Sequence, residues 1–298
     1  MIYRYFIKFF LILTLSTLAC GLPTASAVPT GVLPIQQLSA DQLKSAQYQL
    51  GAREDNASVQ LADGQYQQGT DATTLDFAYA GITEFVSLGD LTGDGMNEAA
   101  AIFVENYGGT GQFAFLAIYT NVNGLPAFLS SLIIDDRPII NSISIENGEV
   151  FLDTVIHSFE DAGCCPTLPT TRRYALVNNQ LRLTNYTSAT PDGTKRAIEI
   201  TSPVNGTEST GSVQVSGTVS IAPFENNLSY IIYDQAGSQL AAGPVAVTAP
   251  DLGAPGTFNE TIALNGIPEG TTVYLEVQDV SAADGSLLAL DAVKLLIK

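Results

Sequence analysis

The 298-residue chain has no tryptophan, one histidine, three cysteines and only 12 lysines and arginines against 30 acids. Each shortage removes a class of function. With His157 alone, a Ser/His/Asp triad has a single candidate base, and no Gly-x-Ser-x-Gly elbow accompanies it. A formal charge of −18 repels nucleic acid and anionic lipid and favours cations. Sustained helical periodicity is missing throughout, so bundles and coiled coils are excluded. Gly108-Gly109-Thr110-Gly111 has the composition of a phosphate loop, but no Lys-Ser/Thr follows; an apolar β run does, which makes it a turn. No pair of acids stands out for sugar hydrolysis, and the chain presents no catalytic constellation.

The amino terminus carries the clearest signal. Arg4 and Lys8 precede the apolar run Phe9 to Leu18, which is shorter than the roughly 20 residues a membrane span needs. A basic start, a short apolar core and small residues at a cleavage point describe an export signal over residues 1–27. Two processing routes stay open. Leu18-Ala19-Cys20 resembles a lipobox, with Thr17 where leucine is usual, and would leave Cys20 lipidated; Ala25-Ser26-Ala27 suits ordinary signal peptidase and would release a soluble chain. Either route predicts an extracytoplasmic protein, with the membrane reached only through a lipid anchor. Loss of Arg4 and Lys8 leaves 30 acids against 10 bases, about −20.

Beyond the signal, an all-β protein of two modules is expected. Residues 28–42 read as a linker ending in a short helix capped at Ser39. Residues 43–186 read as a β-rich module, with hairpin turns at Asp63-Gly64, Asn123-Gly124 and Asn147-Gly148. The continuous apolar run Phe113 to Tyr119 predicts a central strand buried on both faces. Residues 187–196 are polar and turn-rich and read as a second linker. Residues 197–298 hold seven strand-like runs, namely 197–201, 213–219, 228–234, 239–247, 257–264, 272–280 and 287–297. That number and spacing suit an immunoglobulin-like sandwich. Without cysteine or tryptophan there, such a sandwich must rest on packing alone.

Two features could carry chemistry. Asp90-x-Thr92-x-Asp94-Gly95-Met96-x-Glu98 offers side-chain oxygens at positions 1, 3, 5 and 9, the Met96 carbonyl at 7 and a glycine at 6, a pattern suited to Ca2+. Position 12 is Ala101, so an EF-hand is excluded, and Thr92 removes one strong ligand. An acidic turn without metal is the alternative. Cys164-Cys165 could close a disulfide between neighbours; free thiols or bridges to another chain are the alternatives. His157, seven residues earlier, has no evident orienting partner for a Cys–His pair.

Three stretches resemble known families. Ile198-Glu199-Ile200-Thr201-Ser202-Pro203-Val204-Asn205-Gly206, Val213-Gln214-Val215-Ser216-Gly217, Tyr233-Asp234-Gln235-Ala236-Gly237 and Ser281-Ala282-Ala283-Asp284-Gly285-Ser286 resemble the immunoglobulin-like domain of bacterial spore germination and related envelope proteins. That resemblance implies a binding or spacer module with no catalytic residues. Gly89 to Gly95, Gly108 to Phe113, Asp136-Arg137 and Cys164-Cys165-Pro166-Thr167 resemble a recurrent domain of bacterial lipoproteins and secreted proteins, which implies envelope location and no mechanism. The acidic loop is similar to the calcium loops of integrin-type β-propeller (FG-GAP) repeats and dockerins. The expected function is therefore a non-catalytic, calcium-stabilised envelope protein that contacts a wall glycan or another envelope protein. The rivals are a wall-directed hydrolase using acids of the first module, and a structural spacer.

Overall fold

A computed structural model describes residues 36–53 and 55–298. The signal segment 1–27, Cys20 and residues 28–35 lie outside it. The protein is all-β. One turn of helix, α1 (Ala40–Leu43), opens the described chain, with the Ser39 N–H donating to Gln42 Oε1 at 2.8 Å. Strands β1 (Gln47–Gln49) and β2 (Ser58–Gln60) form a small ribbon. A five-stranded antiparallel sheet then runs in chain order through β3 (Gln65–Gln68), β4 (Ala78–Gly89), β5 (Glu98–Asn106), β6 (Phe113–Val122) and β7 (Leu125–Asp136).

Strand periodicity explains the layers of this first module. On β5 and β6, Ala99, Ala101, Phe103, Phe115, Ala117 and Tyr119 point to one face, where Leu43, Tyr48, Leu50 and Leu61 cover them. Their neighbours Ala100, Ile102, Ala114, Leu116 and Ile118 point to the other face. There they meet Val150, Leu152 and Tyr174 of a second sheet. That sheet begins with β8 (Ile139–Glu146), β9 (Glu149–Ile156), β10 (Leu168–Val177) and β11 (Gln180–Ala189). The central strands are thus apolar on both sides because both sides are packed. The turn pairs Asp63-Gly64, Asn123-Gly124 and Asn147-Gly148 all have positive φ at both residues.

The stretch 187–196 is not a free linker. Residues 187–189 complete β11, residues 190–194 make a turn closed by the Thr190 N–H on the Thr194 carbonyl at 2.9 Å, and β12 (Lys195–Arg196) pairs back on β11. Its polar side chains have partners inside the sheet: Thr187 Oγ1 lies 2.7 Å from Thr171 Oγ1, and Ser188 Oγ donates to the Leu288 carbonyl at 2.6 Å. Polarity marks internal hydrogen bonding at Thr187 and Ser188 and an exposed turn at 191–195.

The second module contains β13 (Ile198–Ser202), β14 (Thr207–Ser209), β15 (Ser212–Val219), β16 (Asn227–Asp234), β17 (Gln239–Thr248), β18 (Gly256–Ala263), β19 (Thr272–Val280) and β20 (Leu287–Ile297). Seven of these are the strands expected from the sequence; β14, paired parallel to β20, is additional. Val215, Ile232, Val245, Phe258, Leu275 and Leu295 fill its core. Gly217 is required where β13 pairs with β15 beside a register shift, since a Cβ there would collide with the Glu199 carbonyl and the Phe258 ring.

The two modules share one sheet. β20 pairs antiparallel with β11 through Asn185↔Asp291, Tyr186↔Leu290 and Thr187↔Ala289, so a single run of hydrogen-bonded strands extends from β13 to β8. Among the described residues no helix is long and apolar enough to cross a membrane.

Candidate functional site

The loops of the first module fall into two groups at opposite ends of β5. Nine residues of strand separate them by about 30 Å. The acidic loop joins β4 to β5 at one end. The loops after β5, β7 and β9 gather at the other.

Four of the five expected calcium ligands, Asp90, Thr92, Asp94 and Met96, lie on the first of these loops, and the fifth, Glu98, opens β5. Asp90 Oδ1 accepts from the Gly93 and Thr92 N–H groups at 2.6 and 3.2 Å, and its Oδ2 accepts from the Gly95 N–H at 2.9 Å. These bonds, the Gly95 one foremost, hold the Asp90 carboxyl below the usual carboxylate range. Asp94 Oδ1 accepts from the Met96 N–H at 2.8 Å. Positive φ at Gly93 and Gly95 permits this tight wrap. Glu98 sits beneath the loop, 1 % exposed; its Oε2 accepts from the Leu91 N–H at 2.9 Å, while its Oε1 is buried with no hydrogen-bond partner. Burial, with the Asp94 and Asp90 charges nearby, raises the Glu98 pKa. The segment before α1 clasps the same loop: Gln37 Oε1 accepts from the Asn97 N–H at 2.7 Å, and Asn97 Oδ1 accepts from the Leu38 N–H at 2.8 Å. Asp90 and Asp94 therefore satisfy loop N–H groups. Among the described residues, no three His, Cys, Asp or Glu side chains gather into a group that could hold a metal ion.

At the opposite end, three marks distant in sequence come together. Gln112 donates its N–H to Asp136 Oδ1 at 2.8 Å, and the Arg137 N–H donates to the Gln112 carbonyl at 2.7 Å. Arg137 also grips its neighbour Asp136 with Nε and Nη2 at 3.1 and 2.6 Å. Its guanidinium reaches to 3.9 Å from where a Cβ of Gly163 would stand, beside the exposed and mutually bonded Cys164 and Cys165. Asp161 pins the ends of that loop, accepting from the Ser158 and Thr167 N–H groups at 2.8 and 2.7 Å and from Thr167 Oγ1 at 2.8 Å. Those donors, Ser158 foremost, draw its pKa down to about 2.

His157 does have an orienting partner, contrary to expectation. Asp135 Oδ2 lies 2.9 Å from Nδ1 and accepts the His157 backbone N–H at 2.6 Å. The sequence hid this because β7 and β9 meet only through the fold. With both sulfurs bonded to each other, neither is the thiolate that a Cys–His pair requires.

Two further polar centres had not been singled out from the sequence. Glu105 is fully buried and accepts four hydrogen bonds: Tyr48 Oη at 2.6 Å and the Gly51 N–H at 2.7 Å on Oε1, the Ala52 N–H at 3.0 Å and Tyr107 Oη at 2.6 Å on Oε2. Its one signal is a carboxylate closing the apolar run Ala99 to Val104. At the junction of the modules, the Arg182 guanidinium lies 4.8 Å from the ring centres of both Tyr233 and Tyr274, with Nε 3.5 Å from Glu276 Oε1. Burial pushes the Glu276 pKa up to about 7 despite the opposing arginine. A hollow of about 320 Å3 opens beside this group. Nothing in the sequence links Arg182 to Glu276; only the β11–β20 pairing does.

Residues 197–286 match the family model of the immunoglobulin-like domain of bacterial spore germination. A search of curated proteins finds no match.

Proposed function

We propose, taking an immunoglobulin-like domain of that type as the premise, that this chain is a non-catalytic binding or scaffolding protein of the bacterial cell envelope. Its partner in this reading is a wall glycan or an envelope protein. The supporting observation is the shared sheet: β11–β20 pairing makes the second module a continuation of the first, a form suited to presenting loops at fixed separation. In this reading export over residues 1–27 places the chain outside the cytoplasm, either lipidated at Cys20 or released after Ala27.

The test is incubation of the full mature chain with purified wall material and envelope membranes. Binding predicts a saturable, stoichiometric amount of protein in the pellet with no soluble fragments released. Soluble fragments accumulating beyond the amount of protein added would establish the hydrolase instead, and neither pelleting nor turnover would leave the spacer. Mass spectrometry of the mature amino terminus distinguishes a lipidated Cys20 from a free chain beginning at Val28.

Calcium belongs to the same proposal. Asp90, Thr92, Asp94, the Met96 carbonyl and Glu98 would hold it only after the Asp90, Asp94 and Glu98 carboxylates, which do not converge in this structure, close on the ion; it would brace the loop and perform no chemistry. The buried, unpartnered Glu98 Oε1 supports the reading, since such an oxygen lacks the donor or cation that would offset its desolvation. Calcium at 100 times its dissociation constant should stabilise the wild type by about 2.7 kcal/mol. Asp90→Ala with Asp94→Ala should abolish the shift in melting temperature, and no calcium-dependent shift in the wild type ends the proposal.

A further inference from the structure

The five-stranded sheet of the first module ends in two unlike edges. β3 is four residues long and polar, which is how exposed edges are ordinarily protected. β7 is twelve residues long, and among the described residues it pairs only with β6. Two register shifts in that pairing bracket a regular window, Ser130 to Ile133, whose outward backbone groups have no hydrogen-bond partner among the described residues. A groove of about 510 Å3 runs along this window. Gln49, Gly51 and Asn56 wall it from the layer over one face of the sheet, and Asn178, Asn179 and Gln180 from the turn between β10 and β11. The place a sixth strand would occupy, about 4.8 Å beyond β7, is thus a slot with walls on both sides.

We infer that this slot accepts an extended peptide segment of another protein, added as a sixth strand beside β7. This rests on the binding reading above and narrows it to a polypeptide partner. The chemistry follows from the lining. Unpaired N–H and C=O groups call for a peptide backbone, which supplies both in register. Among the described residues the slot walls and floor carry no charged side chain, so the four or five residues inside are uncharged. Ile133, 53 % exposed, with Leu129 and Leu132, offers apolar contact to alternate residues. The whole chain bears −18, so residues flanking the inserted stretch are basic, drawn by the long-range field. The same charge opposes a second copy of this chain as occupant.

The probe is a capped synthetic peptide with two lysines at each end and alternating valine and threonine between them. Titrated into the full mature chain, it should bind saturably and slow amide hydrogen exchange in Ser130 to Ile133 at least tenfold, with no comparable change in β3. A peptide of identical side chains with alternate backbone amides N-methylated should bind at least tenfold more weakly. Ile133→Lys, on an exposed side chain, should keep the wild-type melting temperature and weaken the unmodified peptide at least tenfold. Equal affinity for the two peptides, protection elsewhere than β7, or dimerisation through this edge without peptide overturns the inference. Loss of peptide binding with wall or envelope binding intact would sink this edge alone; loss of both would sink the broader reading with it.

Discussion

The two modules bury their strands by different means. The second has one apolar core between the faces of a sandwich, and Val215, Ile232, Val245 and Leu275 in it are completely buried. The first has two cores on opposite faces of one sheet and places carboxylates inside, Glu98 and Glu105 at the two ends of β5. Glu105 is satisfied by four donors, whereas Glu276 at the junction has only a long contact to Arg182 and is pushed toward its neutral form. A buried carboxylate with few donors is left to the desolvation that raises its pKa, as Glu276 is.

The sharpest way to break this contrast is Glu105→Ala. It strands two tyrosine hydroxyls and two backbone N–H groups, and should cost about 4 kcal/mol in urea unfolding. A loss below about 1 kcal/mol would show that the network is incidental. Ile232→Ala, a purely apolar deletion in the other core, should cost about 3 kcal/mol. Because the modules share a sheet, both variants should move the same transition; separate loss of the second module would break the comparison.

The junction carboxylate is tested by pH. The Glu276 pKa is about 7 in the fold and near 4.5 in the unfolded chain, so its stabilising contribution is complete below pH 4.5 and is lost as pH rises to about 7. The expected loss is on the order of 3 kcal/mol. Asp291, also raised by burial, acts in the same sense, while Asp161, depressed to about 2, loses its contribution only in more acidic solution. Glu276→Gln should flatten the wild-type slope between pH 5 and 7.5, and an unchanged slope would assign it elsewhere. The smallest effect belongs to the turns. Gly148→Ala, at φ +79° with open space around it, should cost about 1 kcal/mol through backbone strain alone.

The contrast also explains what the sequence disclosed. In the second module, alternation of apolar residues and glycine turns placed seven strands within a residue or two at most ends, because strands such as β15 and β18 have one buried face. In the first, the run Phe113 to Tyr119 showed its double burial directly. The Asn178-Asn179 turn, with both residues at positive φ, lacks the glycine that marked the other hairpins. β14 is too short for any pattern. The joining of β11 to β20 hid behind threonines and serines whose partners lie a hundred residues away. For the site, the residues of both loop clusters were visible as motifs. The gathering of Gln112, Asp136, Arg137 and the disulfide loop at one end was not, nor was Asp135 beside His157, since both depend on the order of strands.

The account depends most on the two modules forming one body through the β11–β20 pairing, and differential scanning calorimetry of the full mature chain tests that directly. One transition, with calorimetric and van 't Hoff enthalpies equal, is the predicted result. Two resolved transitions, one of them unmoved by Glu105→Ala and the other unmoved by Ile232→Ala, would contradict it.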